Sequence, residues 1–550
     1  MHGVVLAACG LVLGPFGCGR ESAPRGRFIL ISLDTLRADH LGAYGYRRPT
    51  SPFLDSLAAR GTLFENAVVQ LPGTLPSHMS IFTGLYPPEH GVYPESALSP
   101  LIRTLPEVLR AQGFRTAGHT EGGYMAGRYG FARGFEEWTD TSPMVERDGG
   151  LVKSPEAVKR TLRRGLESLS RVRGADAFFL LLHTYSTHDP YDPPERYRSR
   201  YWSGPPPPGA FAPRGAELGA FNQGERTLAP RVVEYYEALY DAQINYTDDA
   251  LREFFVGLDE LGLRDSVTVI ITSDHGEEFL EHGKLVHEQV YHEGLHVPLM
   301  VLRPGHGARR VPTLVQSIDL APTIYELAGI PVAARPSMSG RSLVPLLDGD
   351  GAHLGRDAYA EAFVTGDRAV YRQTDEGLFQ YVRRAPRQAE DGVWVSRSTS
   401  LETFSPELAF WAMSYHEPRV LRIAVDGKPA FTEPLDVAGR WVRVSLPRDG
   451  KKKRVELESA SCVSPASVGA SEDARCLSFQ LKGLLPSRSE LYDVTRDPLS
   501  KADLSSARSD LGAKLAARLD EIRFHPVAKP VPAPLTPEQE ERLRALGYLR

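Results

Sequence analysis

Two apolar runs that each end in metal-ligand residue types constrain this chain more than any other feature. Phe28-Ile29-Leu30-Ile31-Ser32-Leu33-Asp34 reads as a short buried strand closing on a carboxylate. Val267-Thr268-Val269-Ile270-Ile271-Thr272-Ser273 reads the same way and delivers Asp274-His275-Gly276-Glu277 at its tip. Near-continuous apolar strands belong to parallel sheets covered on both faces. Open sheets of that kind bind ligands outside the carboxyl ends of their strands, so both tips are expected at one edge. Helical patterns recur between the strands, over 51–60, 101–112, 154–172, about 232–261 and 322–328. That alternation predicts a mixed α/β sheet flanked by helices.

Between the two strands lies Leu71-Pro72-Gly73-Thr74-Leu75-Pro76-Ser77-His78. Pro76 suits the first turn of a helix, where its missing N–H is not needed, and this places Thr74 just before the helix. A hydroxyl there faces unpaired N–H groups and the positive end of the helix dipole, a position that welcomes an anion. By itself Thr-x-Pro-Ser is an ordinary N-cap pattern; its neighbours give it weight.

Those neighbours carry a resemblance. Ser32-Leu33-Asp34-Thr35-Leu36-Arg37-Ala38-Asp39-His40-Leu41-Gly42, the Thr74 segment, Asp274-His275-Gly276-Glu277 and Val297-Pro298-Leu299 stand in the order seen in sulfatases. Ser317-Ile318-Asp319-Leu320-Ala321-Pro322-Thr323 and Glu490-Leu491-Tyr492-Asp493 continue it. The chain resembles the sulfatase branch of the alkaline-phosphatase superfamily over about residues 27–370, and again from near 486. The resemblance implies an alkaline-phosphatase-like sheet, a divalent metal and hydrolysis of an anionic ester.

The departures matter equally. A sulfatase of the usual kind carries Cys or Ser at the Thr74 position and oxidises it to formylglycine; threonine's secondary alcohol would give a ketone. His78 stands at the motif's Arg position, Thr35 replaces the second Asp of an Asp-Asp pair, and His287 falls where a lysine is expected ahead of Tyr291. The matching positions imply a ligand set of Asp34, Asp274, His275 and Thr74 for one divalent cation. An imidazole among the ligands favours zinc or manganese, with calcium, which prefers oxygen donors, still possible. Such a cation would lower the pKa of the Thr74 hydroxyl and make it a nucleophile. Formylglycine hydrate expels sulfate through a hemiacetal, an exit a sulfo-threonine lacks, whereas a phospho-threonine is cleared by attack at phosphorus. Phosphate esters are therefore favoured over sulfate esters.

His188, in His188-Asp189-Pro190-Tyr191, resembles the segment whose histidine meets the ester group or leaving oxygen. His188 and His287 are thus candidates for catalysis, and His78, His188 and His287 for substrate binding. His183, nearer the apolar strand, reads as a core histidine, and His282, His292 and His296 as surface-loop residues. Arg37 and Glu277 flank ligands and read as their supports.

Residues 385–485 break the α/β pattern. Arg419-Val420-Leu421-Arg422-Ile423-Ala424-Val425 alternates in polarity and meets Asp426-Gly427, a hairpin turn signal. Further alternating runs follow at Trp441 and Arg454, predicting an inserted β-sandwich. Trp411, Tyr415 and Trp441 read as packing residues, with stacking on a sugar as the alternative. The run Lys451-Lys452-Lys453-Arg454 reads as a solvated turn, and residues 202–215 as a surface loop. The expected organisation is a leader at 1–24, a catalytic domain at 25–384, the insert at 385–485 and a small C-terminal subdomain at 486–550.

The leader has an apolar core over Val4 to Cys18 but almost no basic residues before it. Cys18, followed by Gly19-Arg20, resembles the end of a bacterial lipoprotein signal, and export to the periplasm or outer membrane is the expectation, with a lipid tether possible. In an oxidising compartment Cys462 and Cys476 are expected to pair. No interior stretch reaches the roughly 18 apolar residues of a membrane span. A net charge of −5 over 550 residues argues against a nucleic-acid-binding surface. Three classes stay open: a phosphoesterase or phosphotransferase with Thr74 as nucleophile, a sulfuric ester hydrolase without formylglycine, and an inactive binding protein. The substrate is expected to be a small-molecule, glycan-linked or lipid-linked ester.

Overall fold

The computed structural model describes residues 26–543 except 95, 142–143, 148–149, 211–220, 223–226, 351–355, 385–392, 404–406, 448–452, 465–466, 468–475, 483–487, 538 and 541–542. The expected leader, Lys451, Lys452 and part of the 202–215 loop lie outside the described residues.

Eight strands form the central sheet: β1 (Gly26–Leu33), β2 (Thr62–Val68), β3 (Arg115–His119), β4 (Glu137–Thr139), β5 (Ala177–Thr184), β6 (Thr268–Thr272), β7 (His296–Leu302) and β8 (Arg309–Gln316). Their order across the sheet is β8-β2-β7-β6-β1-β5-β3-β4. Only β7 runs antiparallel to its neighbours. In the middle, β1 pairs in parallel with both β5 and β6, and Ser32 lies opposite His183 on one side and Thr272 on the other. This register brings the carboxyl ends of all three strands to one edge.

Alternation along β1 shows why the run had to be apolar throughout. Phe28 and Leu30 pack into one core with α2 (Thr74–Thr83), α3 (Leu105–Ala111) and α6 (Leu320–Leu327). Ile29, Ile31 and Leu33 face the other core, built with α1 (Pro52–Ala58), α4 (Ala157–Val172) and α5 (Pro230–Glu260). Each fully buried aliphatic side chain contributes about 1.5–3 kcal/mol. Cutting one, as in Leu30→Ala, removes that contribution and leaves a cavity as well. The five expected helices all form, with ends moved by a few residues, as fraying and capping allow.

A second, antiparallel sheet follows, from β9 (Ala358–Glu361), β10 (Arg368–Thr374), β11 (Gly377–Arg384) and the late strand β20 (Arg488–Asp493). Helix α7 (Ser509–Glu521) covers it through Leu511, Leu515 and Leu519. Between β11 and β20 the chain makes two four-stranded sheets. One orders β12 (Val393–Val395), β19 (Phe479–Lys482), β14 (Glu407–Ser414) and β17 (Arg440–Ser445). The other orders β13 (Ser398–Thr403), β18 (Lys453–Ser459), β15 (Arg419–Val425) and β16 (Lys428–Leu435). Phe410, Val442, Ile423 and Leu457, among others, form an interior shared by the two.

Asp426 (φ 50°) and Gly427 (φ 74°) supply the left-handed pair that a tight hairpin needs between β15 and β16. Trp411 and Trp441 face each other across β14 and β17, on the side opposite Phe410 and Val442. They lie outside the sandwich interior, which corrects the packing-residue reading: period-two alternation sends neighbours of an inward Phe outward. Lys453 is buried beside Asp426 rather than in a solvated turn. Cys462 and Cys476 are joined by a disulfide.

Glu407 ties this all-β segment to the second sheet. It is 5% exposed and accepts from Arg368 (2.8 Å) and Arg383 (2.6 Å), with Arg443 3.5 Å away. Arg383 is shared with Asp520 of α7. Burial alone would raise the Glu407 pKa, but the three guanidinium groups hold it below the ordinary value. Because the folded-state pKa is depressed, the stabilisation is complete above the unfolded glutamate pKa and is lost as pH falls through the folded one. Glu407→Ala leaves Arg383 and Arg368 short of a counter-ion and should cost about 3 kcal/mol, read as a lower unfolding midpoint at pH 7. The gap between wild type and Glu407→Gln should narrow as the pH falls below about 4.3; a constant gap contradicts the ion-pair account.

Candidate active site

Helix α2 begins at Thr74 itself, with Gly73 as its cap in extended backbone, so Pro76 falls in the first turn as its third residue, and Thr74 lies inside the helix rather than just before it. Thr74 is therefore the first residue of a helix whose ten residues are all buried. Its hydroxyl donates to Asp34 Oδ2 (3.2 Å) and lies 3.4 Å from His275 Nε2. Two strand ends and one helix start thus converge on one point.

Asp34, Asp274 and His275 are wholly buried and bring one ligand atom each within 4.8 Å of one another. His275 Nδ1 lies 2.9 Å from the Gly276 carbonyl. A carbonyl only accepts, so that nitrogen carries the proton and Nε2 keeps its lone pair. Nε2 then faces Asp274 Oδ2 at 3.4 Å and Asp34 Oδ1 at 3.9 Å. Asp274 Oδ2 accepts no hydrogen bond, while Oδ1 takes the Thr35 N–H at 3.3 Å. Buried oxygens and a lone pair aimed inward, with an acceptor left over, fit a divalent cation. Burial favours neutral imidazole and pushes His275 below its usual pKa, against the pull of Asp274. Asp274 resists burial because His275, His78 and His183 hold its carboxyl below the usual range. Gly276 is needed for space: a Cβ there would stand 1.9 Å from the Glu293 carbonyl oxygen.

A second candidate group joins His78, His183 and Asp274. His183 Nε2 lies 3.1 Å from Asp34 Oδ2, so the residue read as a core histidine stands against a candidate ligand. The signal was present: Leu180-Leu181-Leu182 runs into His183 as the β1 run does into Asp34. His78, expected at the substrate, lies one turn into α2. Its Nδ1 donates to the Thr74 carbonyl (2.9 Å) and its Nε2 pairs with Ser32 Oγ (2.9 Å). Fully buried and with both nitrogens engaged, it braces the start of α2. Of the two groups, Asp34, Asp274 and His275 therefore present the better set of lone pairs.

His287 lines a cleft of about 340 Å³ that opens beside Thr74, with Gly73 and Glu288 also on its wall. Its Nδ1 sits 3.2 Å from Glu277 Oε1, and its ring lies 4.3 Å from that of His275. Burial pushes the Glu277 carboxyl up to about 8, against the pull of Tyr191, His275 and Arg37. His188 packs against His287 with ring centres 5.2 Å apart, its Nδ1 donating to the Asp189 carbonyl (2.7 Å). Arg37 donates to the Glu277 carbonyl (2.9 Å) and pairs with Asp39 and Glu281, supporting the turn as expected. Thr35, where a second carboxylate was expected by resemblance, holds φ 57° and offers its backbone N–H to Asp274. His282, His292 and His296 are not surface-loop residues: His292 is buried and stacks on His296, and His282 stacks on Tyr291 with ring centres 3.4 Å apart. The 278–296 segment folds inward against the second sheet, which single-residue polarity does not reveal.

A mixed sheet between helices, carrying buried carboxylates and imidazoles beside a helix start, defines an alkaline-phosphatase-like α/β protein with a candidate metal centre. A family model described as Sulfatase matches residues 27–330, and the chain belongs to that family. Arylsulfatase K of Rattus norvegicus is 27% identical over 335 residues, which cover 54% of this chain and 58% of that protein. Iduronate 2-sulfatase of Homo sapiens is 24% identical over 412 residues, covering 60% of this chain and 74% of that one. The phosphonate monoester hydrolase of Agrobacterium radiobacter shares the fold with TM-score 0.57 at 18% identity, over 90% of this chain and 95% of its own. A solved protein in complex with its substrate D-glucosamine-2-N,6-O-disulfate gives TM-score 0.58 at 15% identity, over 90% and 97% of the two chains. The chain spans about three-fifths of the length of the arylsulfatase K relatives.

Elemental analysis of purified protein should find one divalent cation per chain, zinc or manganese, and Asp274→Ala should lose it while circular dichroism stays native. Equal metal in the variant contradicts this ligand set, and calcium alone in the wild type contradicts the preference for zinc or manganese.

Proposed function

We propose that this chain is a metal-dependent hydrolase or transferase of anionic esters in which Thr74 is the nucleophile and phosphate esters are preferred. The observation that carries this reading is the Thr74 hydroxyl, set at a helix start and directed at Asp34 and His275. Asp34, Asp274, His275 and Thr74 Oγ1 would hold the cation, which when bound would withdraw charge from the threonine oxygen and the ester. Thr74 Oγ1 attacks phosphorus; the new O–P bond forms as the bond to the alcohol oxygen breaks. The hydroxyl proton has an acceptor in the Asp34 carboxylate. His287 gives a proton to the leaving alcohol, its ring held by Glu277 at Nδ1 and by His188 alongside. N–H groups at the start of α2 steady the charge gathering on the transferred group. Water then cleaves the phospho-threonine, or an acceptor alcohol does so in a transferase.

Sulfuric ester hydrolysis at the same Thr74 is the second reading, favoured by relatives that are named sulfatases. An inactive binding protein is disfavoured, because it has no use for the buried, mutually oriented Asp34, Thr74, Asp274 and His275. Export is also proposed: the Cys462–Cys476 disulfide suits an oxidising compartment, and residues 1–24 would be the leader, with or without a lipid tether. The domain limits at 384 and 485 are proposed with it.

Thr74→Ala should lower turnover of an aryl phosphate by at least roughly a thousandfold, about 4 kcal/mol of barrier, and Thr74→Ser should keep part of the rate. Mass spectrometry of quenched turnover should find a phosphoryl group on the peptide that contains Thr74. Undiminished turnover by Thr74→Ala would falsify the nucleophile. Aryl sulfate hydrolysis without any phosphatase or phosphodiesterase activity would transfer the site to the second reading.

A further inference from the structure

We propose that the cleft beside Thr74 selects esters of an apolar alcohol, aryl or alkyl, and turns away polyanionic glycans; this rests on Thr74 being the reacting group. Phe363 and Val364, on the turn between β9 and β10, are 54% and 60% exposed and stand on the wall of this cleft. Two large apolar side chains side by side in solvent mark a contact surface rather than packing. The turn is braced. Ala362 N–H bonds the Asp367 carbonyl and Gly366 N–H the Ala362 carbonyl, each within 2.9 Å. The Phe363 ring stacks on Tyr93 at 5.3 Å, and the Tyr93 hydroxyl is fixed to Glu361.

Leu71, Pro94, Tyr124 and Val286 continue the apolar lining down to Thr74 and His287. Val286 holds φ 78°, a conformation costly for a β-branched side chain, right beside His287. Strain of that kind persists where surrounding contacts fix the backbone, so this wall has a set shape. Among the described residues no lysine or arginine lines the cleft. Its acidic member is Glu288, whose carboxylate stands 3.7 Å from Lys284 Nζ. A glycan bearing several sulfates would bring its additional anions to Glu288 and to apolar walls, leaving them without donors. A phenyl or alkyl group would cover Phe363 and Val364 and release the water over them.

The test is steady-state kinetics of the full chain on phenyl phosphate, octyl phosphate and glucose 6-phosphate, with the three matching sulfates. Phenyl and octyl esters should exceed the glucose ester in kcat/KM by about a hundredfold, the octyl comparison being free of any leaving-group advantage. Phe363→Asp should raise KM for the phenyl ester about tenfold, and Phe363→Leu should restore it. Equal or better turnover of the glucose ester, or a KM unmoved in Phe363→Asp, overturns the inference. If only sulfates react, the phosphate preference fails, and the same ranking read on the sulfates decides the cleft. If nothing reacts, the Thr74 reading fails, and equilibrium binding of phenylphosphonate against glucose 6-phosphate decides the cleft alone.

Discussion

Two carboxylates, Asp34 and Asp274, are buried completely and within reach of the same imidazole. Removing two anions from water is expensive, and neutral imidazoles return only part of that cost. The protein therefore concentrates donors around them: the Thr74 hydroxyl, the Thr35 N–H and His183 at their oxygens. Such a centre tolerates little movement, because any displaced donor exposes an anion to a medium of low polarity. The parallel register of β1, β5 and β6 supplies the needed rigidity, since each strand is fixed by neighbours on both edges and by apolar cores on both faces.

The chemistry was legible in the sequence wherever it sat at the end of a strongly patterned element. Asp34, Asp274 and His275 follow apolar runs, and Thr74 sits beside a proline that marks a helix start. Strands β1 and β6 of the central sheet and the five flanking helices were readable for the same reason, because periodicity reports burial. His183 was missed because one imidazole after an apolar run serves a core as readily as a site, and only the strand register opposite Ser32 separates the two. The bracing bonds of His78 were hidden for a related reason. Its spacing from Thr74 is one helical turn, which a bond back to the Thr74 carbonyl satisfies as well as a bond to substrate. The inward path of 278–296 was illegible, since it is set by contacts with the second sheet at Tyr371, Gln380, Glu490 and Tyr492, far away in sequence.

The same edge of the central sheet divides labour between rigid and adaptable parts. Residues that touch the centre come from strand tips and a helix start, whereas the outer wall of the cleft comes from connecting segments, at Pro94, 286–288 and 363–364. A scaffold of this kind can keep one chemistry and change its substrate by altering turn residues alone. The family likeness agrees with that division. The chain shares its fold with proteins that differ in substrate, at identities of 15 to 18%.

The all-β segment leaves after Arg384 and returns at Arg488, and these two residues are direct partners across β11 and β20. The second sheet thus receives its last strand only after a detour of about a hundred residues. Closing a flexible loop of that length carries an entropy penalty that a local hairpin avoids. If the sandwich collapses first on its own interior, its two ends are already close together, and the detour shrinks to a short connection. The order of events in the growing chain then decides how fast the sheet closes: a slow sandwich would leave β11 with an unpaired edge, open to pairing with another molecule. The insert would in this way govern the yield of folded enzyme without touching the chemistry.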